Sequence, residues 1–293
     1  TTQRSTHVWQ DVIVNDFYQD KEGTVWACTL TDLISVDPRN NAYPTIWRIP
    51  YDGEFGNRVL VDSDGFAWVG TDRSVYRVWR DMKEYTHYVH DRQNPRSFTG
   101  GLVESIFEDK WGNIWIGTWS GLNKFNKQTQ SFTRFFHDEQ DSSSLSDNYC
   151  TGILEDESGR LWISTRLGLN RFNETDSTFT RFLHQPVERI VRDQRGHLWF
   201  ATTGGIAVFD PSDGSVRSFD ASDGIPDVKV WGWSRTLMKS GELVFGAGTG
   251  ILVFHPDSAK TLTYVPPVVI TGITKFRKPM QLQMSPELLG EIA

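Results

Sequence analysis

Cysteine is nearly missing from the chain, whose 293 residues contain only Cys28 and Cys150. Two cysteines cannot build a disulfide framework, and neither stands in a Cys-x-x-Cys pair suited to zinc or redox chemistry. A basic excess is missing too: 30 Lys+Arg stand against 37 Asp+Glu, a formal net charge of -7. With a pI near 5.5, the chain lacks the charge needed to follow a phosphate backbone, so nucleic acid is not an expected partner. No stretch approaches the ~18 to 20 consecutive apolar residues that span a bilayer. Residues 1–10 have neither an initiator Met nor an apolar signal core, and read as the start of a piece trimmed from a longer product. Gly-x-Ser-x-Gly, Walker and His-Glu-x-x-His motifs are absent, which removes the sequence basis for the common nucleophilic, phosphate and zinc chemistries. The abundant residues are 12 Trp and 18 Phe beside 25 Gly, a profile of many short strands and tight turns.

Aligned on glycines three residues before a tryptophan, the chain repeats. Asp20-Lys-Glu-Gly23-Thr-Val-Trp26 is followed by Asp62-Ser-Asp-Gly65-Phe-Ala-Trp68, Asp109-Lys-Trp-Gly112-Asn-Ile-Trp115, Asp156-Glu-Ser-Gly159-Arg-Leu-Trp162 and Asp193-Gln-Arg-Gly196-His-Leu-Trp199. A sixth copy around Gly241 has Val244 in place of Trp and no Asp before its turn. The glycine spacings of 42, 47, 47, 37 and 45 are the length of a four-stranded propeller blade. Copy four predicts strands at 151–155, 161–165, 168–172 and 179–182, with an Asp-x-x-Gly turn after the first. The expected fold is therefore an all-β propeller with six recognisable blades, or a seven-bladed ring seen incompletely.

Trp26, Trp68, Trp115, Trp162 and Trp199 are expected to pack between neighbouring blades. Burying ~200 Å² of aromatic surface at ~25 cal/mol/Å² contributes about 5 kcal/mol before entropy is charged against it. Cys28 falls at a position held elsewhere by Gly70, Gly117, Ser164, Ala201 and Gly246, and reads as core filler.

The motif Trp115-Ile-Gly-Thr118 with Gly121-Leu-Asn-Lys-Phe125-Asn126, and Trp162-Ile-Ser-Thr165 with Gly168-Leu-Asn-Arg-Phe172-Asn173, resembles the two-component regulator propeller repeat. The stretch from His137 to Asn148 looks like that family's linker between blades. From Pro266 the text changes, and 266–293 is similar to the opening of a Y_Y_Y-type β-sandwich, leaving 1–265 as the propeller. The resemblance implies the periplasmic, extracytoplasmic sensor region of a membrane-anchored, homodimeric bacterial receptor. Its output, a histidine kinase or diguanylate cyclase, would lie outside these residues. It implies no cofactor and no bound metal. Asp62-Ser-Asp64-Gly65 resembles a calcium-loop fragment without the remaining ligands.

In a propeller, the loops joining second to third strands open on one face around the channel and form the default binding site. Trp119 and Arg166 stand out there, because an indole suits a sugar face and a guanidinium a carboxylate. Asp72 and Arg73 occupy another of these loops, and the longer stretch 220–233 adds Asp227, Lys229 and Trp231. Trp231 and Trp233 could instead replace the core Trp missing at Val244. The expected ligand is an oligosaccharide or other small molecule, with no catalytic residue. Two other readings differ in kind: a virginiamycin-type propeller lyase and a purely protein-binding propeller. A lyase needs a general base. His90, His137 and His184 recur 47 residues apart and read as scaffold, whereas His87 and His255 show no acidic partner at a suggestive spacing.

Overall fold

A computed structural model describes residues 12–259, apart from 40–43, 51–52, 203, 224, 226–229 and 248–249, together with residues 274–275 and 278–279. The chain divides into two compact units, residues 1–259 and 260–293. Within the second, Thr274–Lys275 and Lys278–Pro279 pair as a short antiparallel ladder. The sandwich expected from Pro266 otherwise lies outside the described residues.

The first unit is a ring of antiparallel sheets, one per repeat. Blade one comprises β1 (Val14–Gln19), β2 (Val25–Thr29), β3 (Asp32–Val36) and β4 (Thr45–Arg48). Blade two comprises β5 (Gly56–Val61), β6 (Phe66–Thr71), β7 (Val75–Trp79) and β8 (Tyr85–Tyr88). Blade three has β9 (Val103–Glu108), β10 (Ile114–Thr118), β11 (Gly121–Asn126) and β12 (Ser131–Phe135). Blade four has β13 (Cys150–Glu155), β14 (Leu161–Thr165), β15 (Gly168–Asn173) and β16 (Thr178–Arg181). Blade five has β17 (Glu188–Arg192), β18 (Leu198–Thr202), β19 (Gly205–Phe209) and β20 (Val216–Phe219). The degenerate sixth copy forms β21 (Val230–Leu237), β22 (Leu243–Ala247) and β23 (Gly250–Phe254), three strands among the described residues. The expected strands of copy four are met to within a residue at each end. Six blades, the expected number, make the ring. Among the described residues, no helix is long and apolar enough to cross a membrane.

Blades one to five are each closed at one end by a latch built from the repeat itself. The Oδ1 atom of Asp109 accepts backbone N–H bonds from Trp111 and Asn113, and its Oδ2 accepts the indole N–H of Trp115 at 2.8 Å. Asp20, Asp62, Asp156 and Asp193 do the same for Trp26, Trp68, Trp162 and Trp199. The glycine of each turn takes a positive φ, which an Asp-x-x-Gly turn requires. All five tryptophans are buried, each beside aromatic or aliphatic residues of the following blade, as Trp115 is with Phe172 at 4.8 Å between centroids. Cys28 is fully buried, and burial pushes its thiol pKa up. It fills core, as expected.

The first strands β1, β5, β9, β13, β17 and β21 lie against one another in succession and line the central channel. Arg235 of β21 interacts electrostatically with Asp16 of β1 and Arg58 of β5, which brings the sixth blade to the first two. Burial, and then the like charge of Arg58, pull the Arg235 guanidinium down to about 10. His90 and His137 are scaffold residues: their Nδ1 atoms meet Phe98 O at 3.1 Å and Leu145 O at 2.7 Å. His184 is exposed. His87 departs from expectation, because Glu54, distant in sequence, places a carboxylate oxygen 3.9 Å from its Nε2. His255 has Asp257 at 3.8 Å.

Candidate functional site at the channel mouth

A bulge interrupts the pairing of the first strand in blades one to four and leaves one residue out of the ladder, a device that re-aims a side chain; in blade five the irregularity falls between Glu188 and Val191. In blades one, two and four this residue is Asn15, Asn57 or Thr151. Each donates to a backbone carbonyl of the next blade, to Gly56 O at 2.6 Å, Val103 O at 2.6 Å and Val187 O at 2.7 Å respectively. In blade three the same position holds Glu104, an acceptor, which cannot make that bond. Its buried carboxylate collects donors instead. Oε2 accepts from Arg58 Nη2 at 3.2 Å and from Arg189 Nη2, while Oε1 accepts from Trp119 Nε1 at 2.9 Å and Tyr149 Oη at 3.3 Å. Arg58 Nε also donates to Glu104 O at 2.8 Å. Arg189 reaches the channel from a bulge where its own φ is +28°, a costly conformation for a residue with a Cβ.

These contacts draw Trp119 and Arg166 into one surface. Trp119 sits between β10 and β11, Arg166 between β14 and β15, and Tyr149 just before β13. Trp119 N donates to Leu102 O at 3.1 Å and Arg166 N to Tyr149 O at 3.2 Å, pinning each loop to the entry of a first strand. The Arg166 guanidinium carbon lies 4.0 Å from the Tyr149 ring centroid, and the Trp119 and Tyr149 rings are 5.0 Å apart. Trp119 is 49% exposed, although its indole nitrogen is committed to Glu104. The arrangement therefore presents an oriented indole face beside a stacked guanidinium whose donors have no hydrogen-bond or ion-pair partner among the described residues. Burial, and then the Glu104 charge, push the Tyr149 phenol up to about 12, so it remains a neutral donor at physiological pH. No histidine belongs to the cluster among the described residues.

The other expected residues stand apart from it. Asp72 and Arg73 pair with each other at 2.9 Å and hold the segment before β5, through Phe55 N to Asp72 and Arg73 Nη2 to Gly53 O. Asp227 and Lys229 lie outside the described residues. Trp231 falls in β21, so the stretch read as a loop to 233 ends earlier; its side chain and that of Trp233 are outside the described residues. Glu104, Arg58 and Arg189, in first strands, and Tyr149, in the segment before β13, are not among the residues expected from the sequence. The available signal was the repeat register itself, which sets Glu104 against Asn57 and Thr151 at intervals of 47 residues.

Fold and mouth together define a six-bladed β-propeller that presents an exposed indole and a stacked guanidinium on loops at one end of its channel. Residues 97–120 and 144–166 match the two component regulator propeller family, and the chain carries that family's repeats in blades three and four. Among solved structures it is similar to the extracellular domain of BT3049, described as a hybrid two component system, from B. thetaiotaomicron: 23% identity, 92% of this chain, 38% of that chain, TM-score 0.70. It is also similar to virginiamycin B lyase from Staphylococcus aureus, at 15% identity over 84% of this chain and 85% of that one, TM-score 0.64. YCF48 bound to D1 peptide shares 12% identity, over 87% of this chain and 83% of that one, TM-score 0.60. At these identities the likeness is one of fold. The chain spans 38% of the length of the BT3049 domain. No sequence among the curated proteins matches it.

Proposed function

We propose that the chain is the sensor propeller of a bacterial two-component-type receptor, displayed in the periplasm on a membrane-anchored, homodimeric parent that continues into a Y_Y_Y-type sandwich. Its ligand, an oligosaccharide or other small molecule, binds on the loop face at the channel mouth, and the propeller itself catalyses no reaction. The reading is carried by one observation: Trp119 is half exposed yet locked to Glu104, next to an Arg166 guanidinium held on Tyr149. Exposed aromatic surface that is fixed in place binds at low entropic cost. Ligand can drive signalling only through a difference in affinity between two arrangements of the receptor. Glu104 joins residues of blades two, three, four and five, and would carry such a preference across the ring.

A thermal-shift screen against neutral and acidic oligosaccharides, peptides and a virginiamycin-type cyclic ester, with products followed by mass, tests this. A saturable shift without turnover is expected; ligand at 100 times its Kd stabilises by about 2.7 kcal/mol. W119A should abolish the shift produced by a neutral oligosaccharide. Turnover of the cyclic ester would transfer the assignment to a lyase, and a response to peptides alone would make the propeller a protein-binding module.

A further inference from the structure

Blades three and four obey one register, and the side chains that depart from it in blade three mark a second site. The linker 138–145 enters blade four through a fixed set of bonds: Asp138 N to Ser144 Oγ, Asp141 N to Asp138 O, and Phe179 N to Ser143 O. The linker 91–98 enters blade three through the same set 47 residues earlier: Asp91 N to Ser97 Oγ, Asn94 N to Asp91 O, and Phe132 N to Arg96 O. The backbone is thus repeated, but the side chains are not. In blade four Arg181 fastens the linker, donating to Ser144 O at 2.9 Å, Asp141 O at 2.9 Å, Leu145 O at 2.9 Å and Ser144 Oγ at 2.7 Å.

Arg134, its counterpart in blade three, makes none of these bonds. Its guanidinium has no hydrogen-bond or ion-pair partner among the described residues and lies 5.7 Å from the ring of Phe136. Phe136 is 45% exposed, whereas its counterpart Leu183 is buried. The linker has changed sign as well. Where 138–145 carries Asp138, Glu139 and Asp141 and no cation, 91–98 carries Arg92 and Arg96 and a single carboxylate, Asp91. Arg96 replaces Ser143, and its guanidinium too has no partner among the described residues.

Arg96, Arg134 and Phe136 line one groove of about 560 Å³ on the outer side of blade three, with Asn126, Thr129 and Ser131. No Asp or Glu lines it. We propose that this groove is an oxyanion site, taking a carboxylate or sulfate group on the two guanidiniums while Phe136 covers the apolar part of the same ligand. Guanidinium is the group suited to such forked recognition. An arginine freed from a fastening role that its counterpart keeps, joined by a second in place of serine, leaves two unneutralised cations converging on one concavity.

Titration of the 15N-labelled chain at constant ionic strength, with inorganic sulfate and separately with a uronic acid disaccharide, tests the site by NMR. Saturable shifts are expected at the amides of Asn94, Arg96 and Ser97 and of 129–136. R96S, which installs the blade-four residue, and R134Q should each weaken binding at least tenfold, and W119A should leave it unchanged. The last variant separates this groove from the channel mouth, so either can fail alone. Tighter binding of the disaccharide identifies an acidic saccharide, and saturation by sulfate alone identifies a small inorganic oxyanion; both outcomes uphold the site. Shifts that do not saturate at these amides, or that persist unaltered in folded R96S and R134Q, overturn it.

Discussion

Asp109 accepts bonds from two backbone amides, the Asn113 side chain and the Trp115 indole with one carboxylate. Replacing it with Ala would leave a buried indole N–H without a partner and two turn amides without their cap. Charge-assisted bonds of this kind contribute about 1.5 to 3 kcal/mol each in net terms, so D109A should destabilise by roughly 3 kcal/mol or more in urea unfolding. The equivalent Asp156 predicts a pH dependence. Burial alone would raise its pKa, but the Trp162 indole and the Arg160 amide and guanidinium outweigh burial and hold it below the usual 3.8. A carboxylate depressed on folding contributes stability that is present above the unfolded pKa and is lost as pH falls through the folded one. The stability difference between wild type and D156N should therefore be constant near neutrality and shrink below about pH 4, as read by unfolding midpoints across an acid series.

At the scale of elements, two glycines of similar appearance predict different costs. Gly196 has a φ of +90° in an Asp-x-x-Gly turn, and an added Cβ would meet nothing within 4 Å. Gly168 begins β15 at +158°, and an added Cβ would lie 2.1 Å from Leu183 O. G196A should thus cost only the conformational penalty of about 1 to 2 kcal/mol. G168A must displace the backbone just after β16 and should cost at least twice as much by chemical denaturation. The repeat made such elements legible beforehand, because Asp, Gly and Trp recur at fixed offsets and alternation marks the strands between them. The channel was not legible in the same way. Glu104 reads as one polar residue in an ordinary strand until the bulge turns it inward, and Glu54 meets His87 only through the fold. The 47-residue interval is present in the sequence, but the meaning of a Glu opposite Asn57 and Thr151 depends on the position leaving the ladder.

For the whole molecule, Glu104 is the point where four blades meet: Arg58 comes from blade two, Trp119 from blade three, Tyr149 from blade four and Arg189 from blade five. E104A removes a carboxylate shared by two buried guanidiniums, a loss on the order of 3 to 5 kcal/mol. Hydrogen exchange should then rise in β5 and β17 as well as β9, while the Trp latches stay protected. Protection lost only in β9 would show that Glu104 acts locally.

The latches cap one end of the blades, and Asp72, Trp119 and Arg166 occupy one register position at the other, 47 residues apart. On the proposed reading of the mouth, substitution at this position would alter ligand choice loop by loop while leaving the latches intact. Exchanging residues 119–120 for 72–73 would be a graft between sockets of the same shape, and a library varied at this one position in each blade would search for new ligands on an unchanged frame.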